Sequence, residues 1–143
     1  MASVFDVAKY ILEKCGPLSV MKLQKLVYYS QAWSLVWDDE PLFDEEIEAW
    51  ANGPVVRQLY EVHKGKFKVD SDMIDGRSDV LTKDQRETID AVCEFYSKKN
   101  TQELSDMTHQ EKPWRDARIG LEEGERGDRI ISKESMMEYY SSI

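Results

Sequence analysis

The segment from Val20 to Trp37 contains neither glycine nor proline, and no other feature of this sequence limits its fold as tightly. Ser19 precedes it as a side chain able to cap a helix. Leu23, Leu26, Val27, Ser30, Trp33, Ser34 and Trp37 then recur at helical intervals on one broad face. The spacing predicts a helix that serves as the hydrophobic spine. Its other side carries Lys22, Lys25 and Tyr29, spaced to align as one exposed or partly exposed stripe.

Other helices are expected around this spine. Ser3 and Asp6 have capping-box spacing, and Val4, Val7, Ala8, Ile11 and Leu12 follow with helical periodicity until Gly16-Pro17. Between Pro41 and Pro54 the helical period is lost, and Leu42, Phe43, Ile47, Ala49 and Trp50 read as extended chain. Asn52-Gly53-Pro54 predicts a sharp turn, with a helix from about Val55 to Lys64 whose inward face is Val56, Leu59, Tyr60 and His63. Lys66 to Val69 alternates as a brief strand expected to pair with the extended piece near Phe43. Thr82 with Gln85 opens a long helix through Tyr96; shorter helices are predicted from Thr101, from Pro113 and over Ser132–Tyr140. Residues 120 to 129, with Gly120, Gly124 and Gly127, are the most linker-like stretch. The expected fold class is mainly α: a single compact helical domain over residues 1–143, with a short two-stranded β element around residues 42–49 and 66–70.

Composition narrows the class. With 143 residues, 41% of them hydrophobic and 33% charged, the chain is of single-domain size and can build a core without disulfide or metal staples. The longest apolar run, Leu26 to Tyr29, is far below the roughly 18 residues of a membrane span. Asp6 and Lys9 interrupt the N-terminus where an export signal needs apolar continuity, so a cytoplasmic setting is expected. Cys15 and Cys93 form no CxxC motif and are expected to be free thiols. The net charge of -9 disfavours phosphate-driven nucleic-acid binding. Seven of the acids, Asp38, Asp39, Glu40, Asp44, Glu45, Glu46 and Glu48, fall within residues 38 to 53, which hold no Lys or Arg.

A search for chemistry finds little. Cys15, His63, Cys93 and His109 are not spaced as a metal motif, no lysine has an acid two residues upstream, and no glycine pattern forms a phosphate cradle. No local signature places a nucleophile beside either histidine. The sequence therefore predicts no catalytic residues, no cofactor and no metal. Its densest motif is Leu104-Ser105-Asp106-Met107-Thr108-His109, followed by Glu111, Pro113 and Trp114. This reads as a structural corner in which Thr108 and His109 join two helix ends and Trp114 is a large anchor.

Four blocks in this order resemble the Panacea domain, also called the SocA-like antitoxin domain. They are Asp6-Val7-Ala8 with Tyr10-Ile11-Leu12; Met21 to Gln31, containing Lys22-Leu23-Gln24-Lys25-Leu26; Pro41-Leu42-Phe43 with Ala49 to Val56; and Leu104-Ser105 with Thr108-His109 and Pro113-Trp114. The family often has an aromatic residue where this chain has Asn52, a departure that leaves the turn chemistry intact. The resemblance implies a small, mainly helical, non-enzymatic antitoxin that neutralises a toxin, typically encoded by the neighbouring gene, in bacterial and prophage genomes. It also implies an alternative, an adaptor delivering the toxin to a bacterial protease complex. A DNA-binding regulator of its own operon is the competing class, and the acidity makes nucleic acid an unfavoured partner.

Physical reasoning adds where the toxin would touch. Aromatic anchors supply affinity and charge supplies speed and selectivity. The expected contact residues are Glu45, Glu46 and Glu48, then Trp50, Gly53, Pro54 and Val55 of the turn, and the Lys22–Lys25 stripe. His109, Pro113 and Trp114 are assigned to the structural corner.

Overall fold

The Gly- and Pro-free segment forms one helix, α2 (Val20–Trp37), capped by the Ser19 hydroxyl, which accepts from the Lys22 N–H at 3.2 Å. The computed structural model, which describes residues 2–143, buries every residue of this helix from Leu23 to Ala32. The expected exposed stripe is therefore corrected. Lys25 and Tyr29 are fully enclosed, and Lys22 is half-buried with Nζ donating to the Ser97 carbonyl at 2.6 Å. Trp37, expected inward, is 53% exposed. The cause is the number of elements that α2 meets: α1 (Val4–Cys15), α4 (Lys83–Tyr96), α5 (Thr101–Gln110), α7 (Lys133–Ser141) and a β-hairpin all pack on it. A helix surrounded in this way has no solvated face to reserve for polar residues.

Local capping chemistry sets several boundaries. Ser3 with Asp6, Thr82 with Gln85 and Asn100 with Glu103 each form a reciprocal capping box at the starts of α1, α4 and α5. Pro113 lies in the first turn of α6 (Lys112–Ala117), where its missing N–H leaves no gap.

The β structure differs from the expected pairing. Strands β2 (Ile47–Trp50) and β3 (Gly53–Val56) form an antiparallel hairpin, and β5 (Ile130–Ile131) adds to the other side of β2. Strand β4 (Lys68–Val69) pairs instead with β1 (Leu18–Ser19), Leu18 opposite Val69. Leu42 and Phe43 are buried but lie in no strand, because a side chain from α2 takes the place of a strand partner. Pro54 also begins no helix; it lies in β3, and α3 (Arg57–His63) starts later. Proline is tolerated there because its partner Ala49 directs its N–H to the Arg129 carbonyl at 2.7 Å and its carbonyl to Arg118 at 2.9 Å. The Ala49–Pro54 pair thus exchanges no ladder bond, and the missing N–H is not needed.

Two glutamines, two turns apart on α2, connect the spine to these segments. Gln31 Nε2 donates to the Phe43 carbonyl at 2.9 Å while its Oε1 accepts from Leu42 N–H at 2.7 Å and Phe43 N–H at 3.4 Å. Gln24 Oε1 accepts from Val56 N–H at 2.9 Å, and its Nε2 faces both the Val56 carbonyl and His63 Nε2. Each amide acts as a short piece of β ladder. Tyrosines tie the last helix to the spine: Tyr28 meets Tyr140 at 3.0 Å, and the Tyr29 and Tyr140 hydroxyls each donate to Glu111 Oε1 at 2.8 Å. Cys15 and Cys93 are unbridged.

Replacing Gln31 by Leu keeps the volume but leaves the Leu42 and Phe43 backbone groups unpaired in the interior. The expected loss is about 2–4 kcal/mol in urea unfolding; a loss below about 1 kcal/mol would show that those groups find other partners.

A candidate partner-binding face around the Asn52–Gly53 turn

The motif residues that lie far apart in sequence meet at the β2–β3 turn. Gly53 has φ +128, a backbone conformation that side-chain-bearing residues rarely adopt, and a Cβ there would stand 2.4 Å from Lys25 Cε and 2.9 Å from Nζ. Thr108 Oγ1 lies 3.2 Å from the same point. Ser105 Oγ donates to the Asn52 carbonyl at 2.7 Å, and Trp114 Nε1 donates to the Trp50 carbonyl at 2.8 Å. The α5–α6 corner therefore clamps the hairpin through its backbone, which makes the clamp independent of the hairpin's own side chains.

The corner is itself a stack. The His109 ring lies on Trp114 at 4.0 Å between centroids and 8° between planes, and the Arg118 guanidinium sits 5.2 Å from the Trp114 centroid. Arg118 is only 5% exposed and donates to the carbonyls of Ala49, Glu122 and Glu125, so it ties the glycine-containing stretch 120–129 back to β2. Thr108 does not bridge two helices as the sequence predicts; its hydroxyl donates to Ser105 within α5.

On the outer side of the turn, Trp50 is half-buried and held by three neighbours. Its Nε1 donates to Glu48 at 2.9 Å, Tyr60 meets it edge-on at 4.8 Å, and Arg57 lies 5.3 Å from its ring while binding Glu48 through two nitrogens at 3.0 and 2.8 Å. Trp50, Asn52, Arg57, Tyr60, Arg126 and Asp128 line a groove of about 740 Å³. A second cleft of about 400 Å³ opens beside His109, Trp114, Arg115 and Arg118.

The nine expected contact residues divide by exposure. Glu46 is exposed; Lys22, Glu45, Glu48 and Trp50 are half-buried; Lys25, Gly53, Pro54 and Val55 are buried. Glu45 has a structural bond, accepting from the Val4 N–H at the start of α1 at 3.1 Å. Of the corner residues, Pro113 and Trp114 are buried and His109 is half-buried. Sequence reasoning missed Trp37, which stands exposed at the head of the acidic run and stacks on Trp33 at 5.0 Å. It also missed Arg57, Tyr60 and Arg118. The signal for Trp37 was present in the three acids that follow it, since a helix end next to Asp38-Asp39-Glu40 faces water.

Lys25 is the most unusual group at the site. Its Nζ is fully buried without a hydrogen-bond partner, and burial pulls its pKa down to about 7. His109 Nε2 is likewise buried and unpaired, and burial lowers the His109 pKa, with the Lys25 and Arg118 charges acting in the same direction. Among the described residues no group of three or more His, Cys, Asp or Glu is placed to hold a metal ion, and no helix is long and apolar enough to cross a membrane.

The sequence profile described as "Antitoxin SocA-like, Panacea domain" matches residues 23–115, from the spine helix through the Trp114 corner. The chain belongs to this SocA-like, Panacea-domain antitoxin family. The α1 block lies outside the matched span. No curated protein and no solved structure matches the chain significantly.

A lysine whose folded pKa is depressed destabilises the fold below its ordinary range, and the penalty fades as pH rises toward 10.5. Lys25→Met should therefore be more stable than the parent by on the order of 2–4 kcal/mol at pH 7. Between pH 7 and 9 that advantage should shrink by about 1.4 kcal/mol per pH unit. Parallel stability curves for the two proteins would show that Lys25 is charged and paired.

Proposed function

We propose that this protein is an antitoxin that neutralises a cognate toxin, encoded by the adjacent gene, by binding it directly in the cytoplasm. Residues 1–143 act as a single domain in this reading, and the role is non-enzymatic. The observation that carries it is the family match, whose span contains the spine, the hairpin and the corner that build the candidate face. The acidic run supports a toxin with a basic surface, the kind that handles nucleic acid or nucleotides. A tryptophan stands at each end of the run, Trp37 exposed and Trp50 half-buried, and desolvated aromatic anchors beside complementary charge are the usual pattern of a strong interface. Glu46, Glu48 and Trp50 are the contacts favoured by exposure, with Lys22 at the margin; Lys25, Gly53, Pro54 and Val55 shape the face from beneath it.

The decisive experiment expresses the neighbouring open reading frame with and without this protein and measures growth, followed by purification of the complex. Rescue with a stable complex is expected. Rescue accompanied by loss of the toxin protein would favour the protease adaptor instead, and an equally toxic neighbour would end the reading. Charge reversal should use the exposed Asp44 and Glu46, since Glu45 caps α1. The Asp44→Lys, Glu46→Lys double variant should fold normally, bind about tenfold or more weakly at low salt, and lose most of the salt dependence of association. Unchanged affinity and salt slope would remove the charge argument.

A further inference from the structure

Two of the four tryptophans carry an arginine of this chain on their rings: Arg57 lies 5.3 Å from the Trp50 centroid and Arg118 5.2 Å from that of Trp114. Trp33 is fixed from two sides, its Nε1 donating to the Tyr96 hydroxyl at 2.9 Å and its ring meeting Tyr140 at 5.6 Å. Trp37 rests one face on Trp33, 5.0 Å between centroids, and is 53% exposed. Among the described residues no cation lies over its outer face. Its surroundings are negative, because Asp38, Asp39 and Glu40 follow it directly and α2 has no basic residue in its last turn. A helix C-terminus favours cations, so these carboxylates work against the helix they follow. Thr88 Oγ1 holds Asp38 Oδ2 at 2.7 Å, and Ser34 Oγ holds the Glu40 carbonyl at 2.7 Å, which fixes the turn. Asp39 and Glu40 are exposed, and among the described residues none of the three acids takes part in an ion pair.

We propose that the outer face of Trp37, with the carboxylates of Asp39 and Glu40 beside it, is the docking site for an arginine side chain of the toxin. The inference rests on the antitoxin reading for the identity of the partner, but the site itself is a property of this chain. A guanidinium is the cation that fits: it is planar, stacks on an aromatic ring, carries donors for a carboxylate at its edge, and gives up water more readily than an ammonium. The partner would thereby complete at Trp37 the arrangement that Arg57 completes at Trp50, where one guanidinium both covers the ring and binds the Glu48 carboxylate at 3.0 and 2.8 Å. Trp33 supplies a rigid base, so little side-chain freedom remains to be lost when the partner arrives. A tryptophan in such a position is a usual anchor of a protein interface, and the unpaired acids around it favour a basic partner over an acidic one.

The first readout needs no toxin. A peptide of alternating glycine and arginine is titrated into the full chain at low ionic strength, and the tryptophan indole N–H signals are followed by NMR. The Trp37 signal should shift saturably, while those of Trp50 and Trp114, whose rings already carry arginines, should move much less. The matching glycine–lysine peptide should bind about threefold or more weakly. So should the arginine peptide on the Asp39→Asn, Glu40→Gln variant, in which asparagine tolerates the φ of 55 found at Asp39. No saturable shift at Trp37, equal shifts at all three indoles, equal affinity for the lysine peptide, or unchanged affinity in the variant overturns the proposal. The second readout uses the complex with the neighbouring gene's product. Trp37→Leu, which stays apolar but offers no ring face, should weaken that complex about tenfold or more; should it fail to fold, the Asp39→Asn, Glu40→Gln variant makes the same comparison. Unchanged affinity overturns the docking role and leaves the antitoxin reading standing. A product that the parent protein does not bind overturns the antitoxin reading, and the peptide titration then decides the arginine site by itself.

Discussion

A helix enclosed on all sides must satisfy its polar side chains with the protein itself, and α2 places five such groups in the interior: Gln24, Lys25, Ser30, Gln31 and Ser34. The two glutamines resolve this by becoming backbone partners. Gln31 holds Leu42 and Phe43, Gln24 holds Val56, and between these anchors the chain passes through the acidic run and the β-hairpin. The spine therefore also fixes where the surface elements lie. Deleting either amide would leave backbone groups unpaired at a depth where water cannot replace it.

The hairpin turn follows from the same constraint. Lys25 extends from α2 to the underside of Gly53, and the glycine is required twice, for its positive φ and for the absence of a Cβ where Lys25 lies. The α5–α6 corner then fixes the turn from the other side through Ser105 and Trp114, each donating to a backbone carbonyl of the hairpin. Three sequence blocks thus meet at one place, where the candidate face carries its groove and cleft. What lies exposed there is Asn52, Arg57 and parts of Trp50 and Tyr60, while the residues that determine its shape are hidden.

How legible each part was depended on whether its cause was local. Capping boxes at Ser3 and Thr82 were readable because each box closes within four residues. The mainly helical class followed from apolar spacing in the same way. The β pairing was not readable: β1 and β4 hold two residues each, too short for any alternation, and their partnership spans fifty positions. Pro54 looked like a helix start because its neutrality in β3 depends on Ala49 bonding Arg129 and Arg118, a fact about distant residues. The candidate face was half legible, with Trp50, Gly53 and Trp114 evident as unusual residues and Arg57, Tyr60 and Arg118 too ordinary to stand out.

By itself the sequence determined the helices, their caps, the sharp turn at Gly53 and the family, because each of these depends on residue types at short, fixed spacing. Tertiary structure alone decided that Lys25 and Tyr29 are buried and Trp37 is exposed, that two glutamines stand in for strands, and that Lys25 Nζ is enclosed without a hydrogen-bond partner. Helical periodicity places side chains on faces, but only the packing of other elements decides whether a face meets water, and with it whether a lysine is surface charge or a buried amine.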